Sequence, residues 1–261
     1  VPVFSDQLNR AVYTLDFPQQ IISIVPSQTE LLFYLGLGER VVGITNYCIH
    51  PSPDVRTVTK IGGTKKLDMQ AIHSLKPDLI IANKEENERS QVEALMKHYP
   101  VWVSDIADLN DALEMINGVG QITGSFIAAN HLVNNIALAF NGIHQLMSSK
   151  SAAYFIWRKP YMVAGKGTFI DQMMGYCGLI NVFDVGRYPI VTATDLIAAA
   201  PKVILLSTEP YPFVEKHLEE FKRMVPNADI ILVDGEMFSW YGSRLLLAPK
   251  YFNSLIFGLQ P

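Results

Sequence analysis

Charge is scarce in this chain of 261 residues. Asp, Glu, Lys and Arg make up 18% of it, and the formal net charge is −4. No basic or acidic block interrupts the sequence, which argues against a nucleic-acid partner and against strong attraction to an anionic lipid surface. Cysteine is nearly absent. Cys48 and Cys177 lie far apart, and two such residues build no disulfide framework. Common catalytic patterns are missing: there is no Ser–His–Asp order, no HExxH and no Cys-x-x-Cys. The opening VPVFSDQLNR has no apolar run, so it holds no signal peptide or lipobox; either a leader was removed or none existed.

Apolar residues are plentiful at 49%, enough for one large or two ordinary globular domains. The stretch 125–149 contains no charged residue. Ala129, Val133, Ile136, Phe140, Ile143 and Met147 recur at helical spacing and predict one apolar helix face. Such a helix would be about 35 Å long. Asn130, His131, Asn134, Asn135, Asn141, His144 and Gln145 make it too polar for a membrane span.

Similar α/β patterns flank this stretch. Before it, Ile21–Val25, Val41–Ile44, Asp78–Ala82 and Val101–Val103 read as short buried strands. After it, Ala152–Trp157, Val203–Leu206 and Ile230–Val233 do the same. Asp68–Ile81 and Thr192–Leu205 match as a short helix, a proline stop (Pro77, Pro201) and a strand, which puts Glu85 opposite Glu209. Ser27, with Glu30 three residues on, predicts a helix cap. The expected fold is α/β: two Rossmann-like lobes with parallel sheets, joined by one long backbone helix, with a ligand cleft between lobes. The expected division is an N-terminal lobe over 1–124, the helix over 125–149 and a C-terminal lobe over 150–261.

The residues Ile21-Ile22-Ser23-Ile24-Val25-Pro26-Ser27-Gln28-Thr29-Glu30-Leu31-Leu32, Val42–Tyr47 and Leu75–Ala82 carry a resemblance. So do the turn at Ala164–Lys166 and the stretch Tyr176–Phe183. The chain resembles the helical-backbone metal receptors, the class III periplasmic solute-binding proteins of ABC importers, and within them the vitamin B12-binding members. The resemblance spans nearly the whole chain. It implies a monomeric, non-enzymatic receptor for a metal chelate, a corrinoid first and then haem or a ferric siderophore, with no catalytic cofactor and a periplasmic or extracytoplasmic setting. It also implies docking on an ABC permease through a glutamate on a short helix of each lobe. Gln70 and Thr194 stand at those positions, with Asp195 adjacent as a substitute. Tyr188 stands where the vitamin B12 proteins place a tryptophan beside the corrin.

The candidate ligand contacts follow from strand ends and helix starts. Pro26, Ser27, Gln28 and Thr29 open a helix, whose free N–H groups suit an acceptor oxygen. Tyr47 follows a strand and matches a ligand-contacting tyrosine of the family; Gly63 and Thr64 form a strand-end turn. Glu85, Glu86 and Glu209 offer carboxylates at a cleft rim. Trp157 with Arg158, and Trp240 with Tyr241 and Arg244, pair aromatic faces with guanidinium groups, which suits a flat acidic macrocycle or a catechol chelate. One of the two tryptophans is expected in the core. Cys48 and His50 have the ligand types of a zinc, copper or haem-iron site, and His50 alone could be an axial ligand. Two contrary readings stay open: a cytosolic metallocofactor-handling protein or enzyme on the same fold, and a bare zinc or iron binder.

Overall fold

The structure, a computed structural model, describes residues 2–14, 17–144 and 149–259. It divides into two compact units. The first holds residues 1–106, 110–137 and 241–244; the second holds 107–109, 138–240 and 245–261.

The first unit is built on a five-stranded sheet: β1 (Ile21–Ser23), β2 (Val41–Ile44), β3 (Thr59–Lys60), β4 (Leu79–Asn83) and β5 (Val101–Ser104), in the order β3-β2-β1-β4-β5. Every pairing is parallel. β1, β4 and β5 are buried along their whole length, which is why they read as unbroken apolar runs. The helices α1 (Pro26–Tyr34), α2 (Met69–Leu75), α3 (Arg89–Met96) and α4 (Leu109–Thr123) follow the strands. A hairpin of Val3–Ser5 and Ala11–Tyr13 precedes the sheet.

Helix α5 (Phe126–Asn141) follows Gly124, whose positive φ of 77° breaks it from α4. Ala129, Leu132, Ile136 and Phe140 form its buried face. Among the described residues the helix stops at Asn141, short of the expected 149, and Ile143 and His144 are not helical. Met147 lies outside the described residues. At 16 residues α5 is about 24 Å long.

The second unit carries a six-stranded sheet: β6 (Lys150–Trp157), β7 (Tyr161–Val163), β8 (Leu179–Asn181), β9 (Ile190–Val191), β10 (Val203–Ser207) and β11 (Asp229–Val233). The order is β9-β7-β6-β10-β11, with β8 also on β6. The pairings β6–β8, β6–β10 and β10–β11 are parallel, but β6–β7 and β7–β9 are antiparallel. The expected parallel sheet carries an antiparallel edge here, because the short loop at Arg158–Pro160 turns the chain straight back and leaves no room for a crossover helix. Its helices are α6 (Phe169–Tyr176), α7 (Ala193–Ala199), α8 (Leu218–Met224), α9 (Gly235–Ser239) and α10 (Ala248–Leu259).

The repeat read from the sequence is real in the backbone. α2 and α7 both span seven residues, end on a left-handed cap (Lys76, φ 47°; Ala200, φ 42°) before a proline, and lead into a fully buried five-residue strand.

Candidate functional site: the strand-end faces of the two units

In the first unit β1 runs into α1. The helix begins one residue earlier than the expected cap, with Val25 at the N-cap and no side-chain cap bond. Ser27 therefore does not cap. Pro26, Ser27, Gln28 and Thr29 are all buried. Thr29 Oγ1 lies 2.8 Å from Ser23 Oγ, 3.0 Å from Val25 O and 3.1 Å from Cys48 Sγ, and Gln28 Nε2 donates to Ser104 Oγ. The side chains of Ser27, Gln28 and Thr29, expected to meet a ligand, pack inside the unit.

Tyr47 is 63% exposed. A Cβ at Gly63 would stand 3.2 Å from its ring, so glycine there gives the ring room to lie against the hairpin Gly62–Gly63/Lys66–Leu67. The next residue differs. Cys48 is 1% exposed and bonded to Thr29 and Thr45, and burial pushes its thiol up from the ordinary range. His50 is half-buried in the loop. Among the described residues no three His, Cys, Asp or Glu side chains gather to hold a metal ion. Buried and hydrogen-bonded to two threonines, the Cys48 thiol is a core group, which corrects its half of the expected Cys48–His50 pair.

The loop after β4 is organised by amides. Asn83 Oδ1 accepts from the N–H groups of Glu85 (2.8 Å) and Glu86 (3.0 Å). Buried Asn87 accepts from Asn83 N (2.8 Å) and donates to Ile24 O (2.9 Å) and Thr64 O (3.2 Å). One side chain thus joins the ends of β1 and β4 to the Thr64 turn. Lys65 Nζ donates to Glu85 O at 2.6 Å. Lys65, Asn83 and Asn87 are absent from the expected set, because the sequence does not reveal which loop amide is buried.

The segment 241–244 completes this unit. Tyr241, itself buried, donates from its hydroxyl to Glu86 Oε1 at 2.5 Å. Arg244 is 9% exposed and forks onto Glu30, Nε to Oε2 at 2.9 Å and NH2 to Oε1 at 2.6 Å. Its guanidinium is thus bound within the protein.

In the second unit Trp157 ends β6, is 39% exposed and stands edge-on to Tyr211, with ring centroids 5.6 Å apart. Arg158 pairs with Glu220 at 2.6 and 2.9 Å, and Tyr161 donates to the same carboxylate. Burial pushes Glu220 up, but the hydrogen bonds from Arg158 and Tyr161 outweigh it and hold the carboxyl below its usual range. Burial and the Glu220 bond push Tyr161 up to about 12. Arg158, like Arg244, is held by a carboxylate of the same chain, though this pair stays partly exposed at 23% and 27%.

Of Trp157 and Trp240, it is Trp240 that enters the core, at 7% exposure. Its Nε1 donates to Glu209 Oε1 at 2.8 Å, and Ser239 Oγ donates to the same oxygen at 2.6 Å. Burial raises Glu209 above the usual carboxylate range despite those two bonds, and Glu236 and Asp234 add to the rise. Glu209 matches Glu85 in backbone placement, with its N–H on Ser207 Oγ at 3.3 Å, but its carboxylate faces inward. Tyr188 is half-buried in a loop held to the β7 end by Gly165 N to Arg187 O (2.8 Å) and Lys166 N to Val185 O (2.9 Å). A Cβ at Gly165 would fall 1.8 Å from Val185 O, so only glycine permits that approach. Asp195, the expected docking substitute, is the capping carboxylate of α7: it accepts from Thr192 N at 2.8 Å and Oγ1 at 2.7 Å.

Comparison with known proteins agrees with this architecture. A family model described as periplasmic binding protein matches residues 21–229. The vitamin B12-binding protein of Pectobacterium carotovorum subsp. carotovorum (strain PC1) is 24% identical over 259 residues, covering 96% of this chain and 92% of that protein. The crystal structure of the periplasmic vitamin B12-binding protein BtuF of Vibrio cholerae superposes with a TM-score of 0.72 at 20% identity, covering 92% of this chain and 96% of that one. The periplasmic haem-binding protein HutB of Vibrio cholerae gives 0.76 at 21% identity, covering 92% and 99%. The family model reaches from the first strand of one sheet to the last strand of the other, and the chain belongs to the periplasmic binding protein family.

Proposed function

We propose that this protein is the solute-binding component of an ABC importer and captures a metal chelate, a corrinoid first, on its strand-end loops. The binding is noncovalent and non-enzymatic. The observation that carries the choice of ligand is the commitment of both arginines: Arg158 is paired with Glu220, and Arg244 with Glu30. A haem or catecholate needs cations for its acidic groups, whereas a corrinoid presents mainly amides. Tyr47 and Trp157 are the exposed aromatic faces at strand ends, and such rings supply large contact areas with one polar edge. Tyr47, Gly63, Thr64, Glu85, Trp157 and Tyr188 are the proposed contacts. The sequence similarity to vitamin B12-binding proteins supports the same reading.

Haem is the second reading. An exposed tyrosine such as Tyr47 can ligate ferric iron, and haem-binding proteins share the fold. The proposed compartment is the periplasm or the outer face of the cell membrane, in line with the family. The proposed partner is a permease that docks without the two helix glutamates, since Gln70 and Thr194 replace them. A monomer with the working division 1–124, 125–149 and 150–261 is part of the proposal.

The test is titration with cyanocobalamin, haemin and a ferric catecholate, following tryptophan fluorescence and the ligand spectrum. Saturable cyanocobalamin binding, weakened about tenfold or more by Tyr47→Ala or Trp157→Ala, is the expected outcome. Saturation by haemin alone would move the assignment to the second reading. If none of the three binds, the chelate function is wrong.

A further inference from the structure

A cluster of three side chains lies away from the strand-end residues just described. His73 is in the last turn of α2, and His98 stands two residues past the end of α3. Their rings meet edge to face, with centroids 5.5 Å apart and planes at 87°. The Tyr99 hydroxyl is 2.7 Å from His73 Nδ1. The Tyr99 ring stands 5.5 Å from that of His73 and 6.2 Å from that of His98. Both imidazoles are exposed to solvent.

The geometry points to a surface site for a divalent transition-metal ion, ligated by His73 and His98, with Tyr99 as the positioning residue for His73. Metal–nitrogen bonds of about 2.0–2.1 Å put each ring centroid about 3.2 Å from a shared ion, and two such rings at tetragonal or tetrahedral angles lie about 4.5–5.2 Å apart. The observed 5.5 Å lies just outside this range, and both exposed side chains must rotate from their edge-to-face contact to aim one nitrogen each at a shared ion. With Nδ1 engaged by the Tyr99 oxygen, His73 presents Nε2 to the ion, the arrangement in which an outer oxygen fixes tautomer and ring orientation. Both histidines stand at helix carboxyl ends, where unpaired carbonyls favour a cation. Lys76 and Lys97 at the same ends oppose it, but both are exposed and screened by salt over about 8 Å.

Two imidazoles with no carboxylate or thiolate select copper(II) first, then nickel(II) or zinc(II). Water fills the remaining positions, so the site is open and exchangeable. It does not depend on the chelate reading and is tested on protein free of chelate.

The experiment is calorimetric titration of the untagged chain with copper(II) chloride in a non-coordinating buffer at neutral pH, paired with electron paramagnetic resonance. One ion per chain, with nitrogen hyperfine coupling from two imidazoles, is expected. His73→Gln and His98→Gln should each weaken binding about tenfold or more, and Tyr99→Phe by up to about tenfold. Circular dichroism should show all three variants folded, since both histidines are exposed. Absence of stoichiometric copper binding, or binding unchanged in either histidine variant, overturns the site.

Discussion

Trp240 and Ser239 share a single oxygen of Glu209, the indole at 2.8 Å and the hydroxyl at 2.6 Å. The carboxylate is thus a fixed seat for the last residue before the chain enters segment 241–244 of the first unit. Gly235 makes that seat possible, because a Cβ there would stand 2.5 Å from Glu209 Cγ and 2.4 Å from Ser207 Oγ.

Glu209→Gln keeps an acceptor for both donors and removes a half-buried charge, so its stability at neutral pH should equal or exceed the parent's. Glu209→Ala strands both donors and should cost about 2 kcal/mol. The sign of the pH effect follows from the raised carboxyl. The folded state binds the proton more tightly than the unfolded chain, so Glu209 favours folding at low pH. That contribution is lost as pH rises from the ordinary carboxylate range through the raised value. Urea midpoints measured across this window should fall less steeply in Glu209→Gln; an unchanged slope would remove Glu209 as the cause.

Arg244 and Glu30 form a forked pair in the interior of the first unit. Arg244→Met should cost about 3–5 kcal/mol by leaving Glu30 unpaired, and Arg244→Met with Glu30→Met should recover much of that. A double-mutant cycle by chemical denaturation checks it. Additive losses would show that the pair is not coupled.

Asn87 satisfies Asn83 N, Ile24 O and Thr64 O together. Asn87→Ala should cost about 3 kcal/mol, as several buried backbone groups lose partners. Asn87→Asp keeps the acceptor and loses the donors, so it should remain destabilised. If Tyr47 and Thr64 belong to the ligand site, both variants also weaken ligand binding at temperatures where they are folded.

Cys48 and Cys177 are both buried, and burial raises both thiols. A thiol-specific disulfide reagent should label neither in the native protein and both in denaturant. Rapid native labelling of Cys48 would contradict its core placement.

The long buried strands, the proline-stopped helices and the repeat of α2–β4 in α7–β10 could be read from residue order, whereas the two- and three-residue strands β3, β8 and β9 could not. Those features come from local patterns: β-branched runs, helical spacing and proline, whose constraints act within a few residues. The family resemblance, too, rests on contiguous segments such as Ile21–Leu32. The partners of charged and polar side chains could not be read this way. Arg244 meets Glu30 across 214 positions, Tyr241 meets Glu86 across 155, and Arg158 meets Glu220 across 62. Arg158 and Arg244 look like ligand-facing guanidinium groups in the sequence, and the fold pairs each with a carboxylate of the same chain. The same holds for Gln28, Thr29 and Cys48, which stand at strand ends as expected yet turn inward. Backbone position follows from short-range propensity; side-chain commitment follows from which distant segments packing brings within about 3 Å, and that is a property of the folded chain alone.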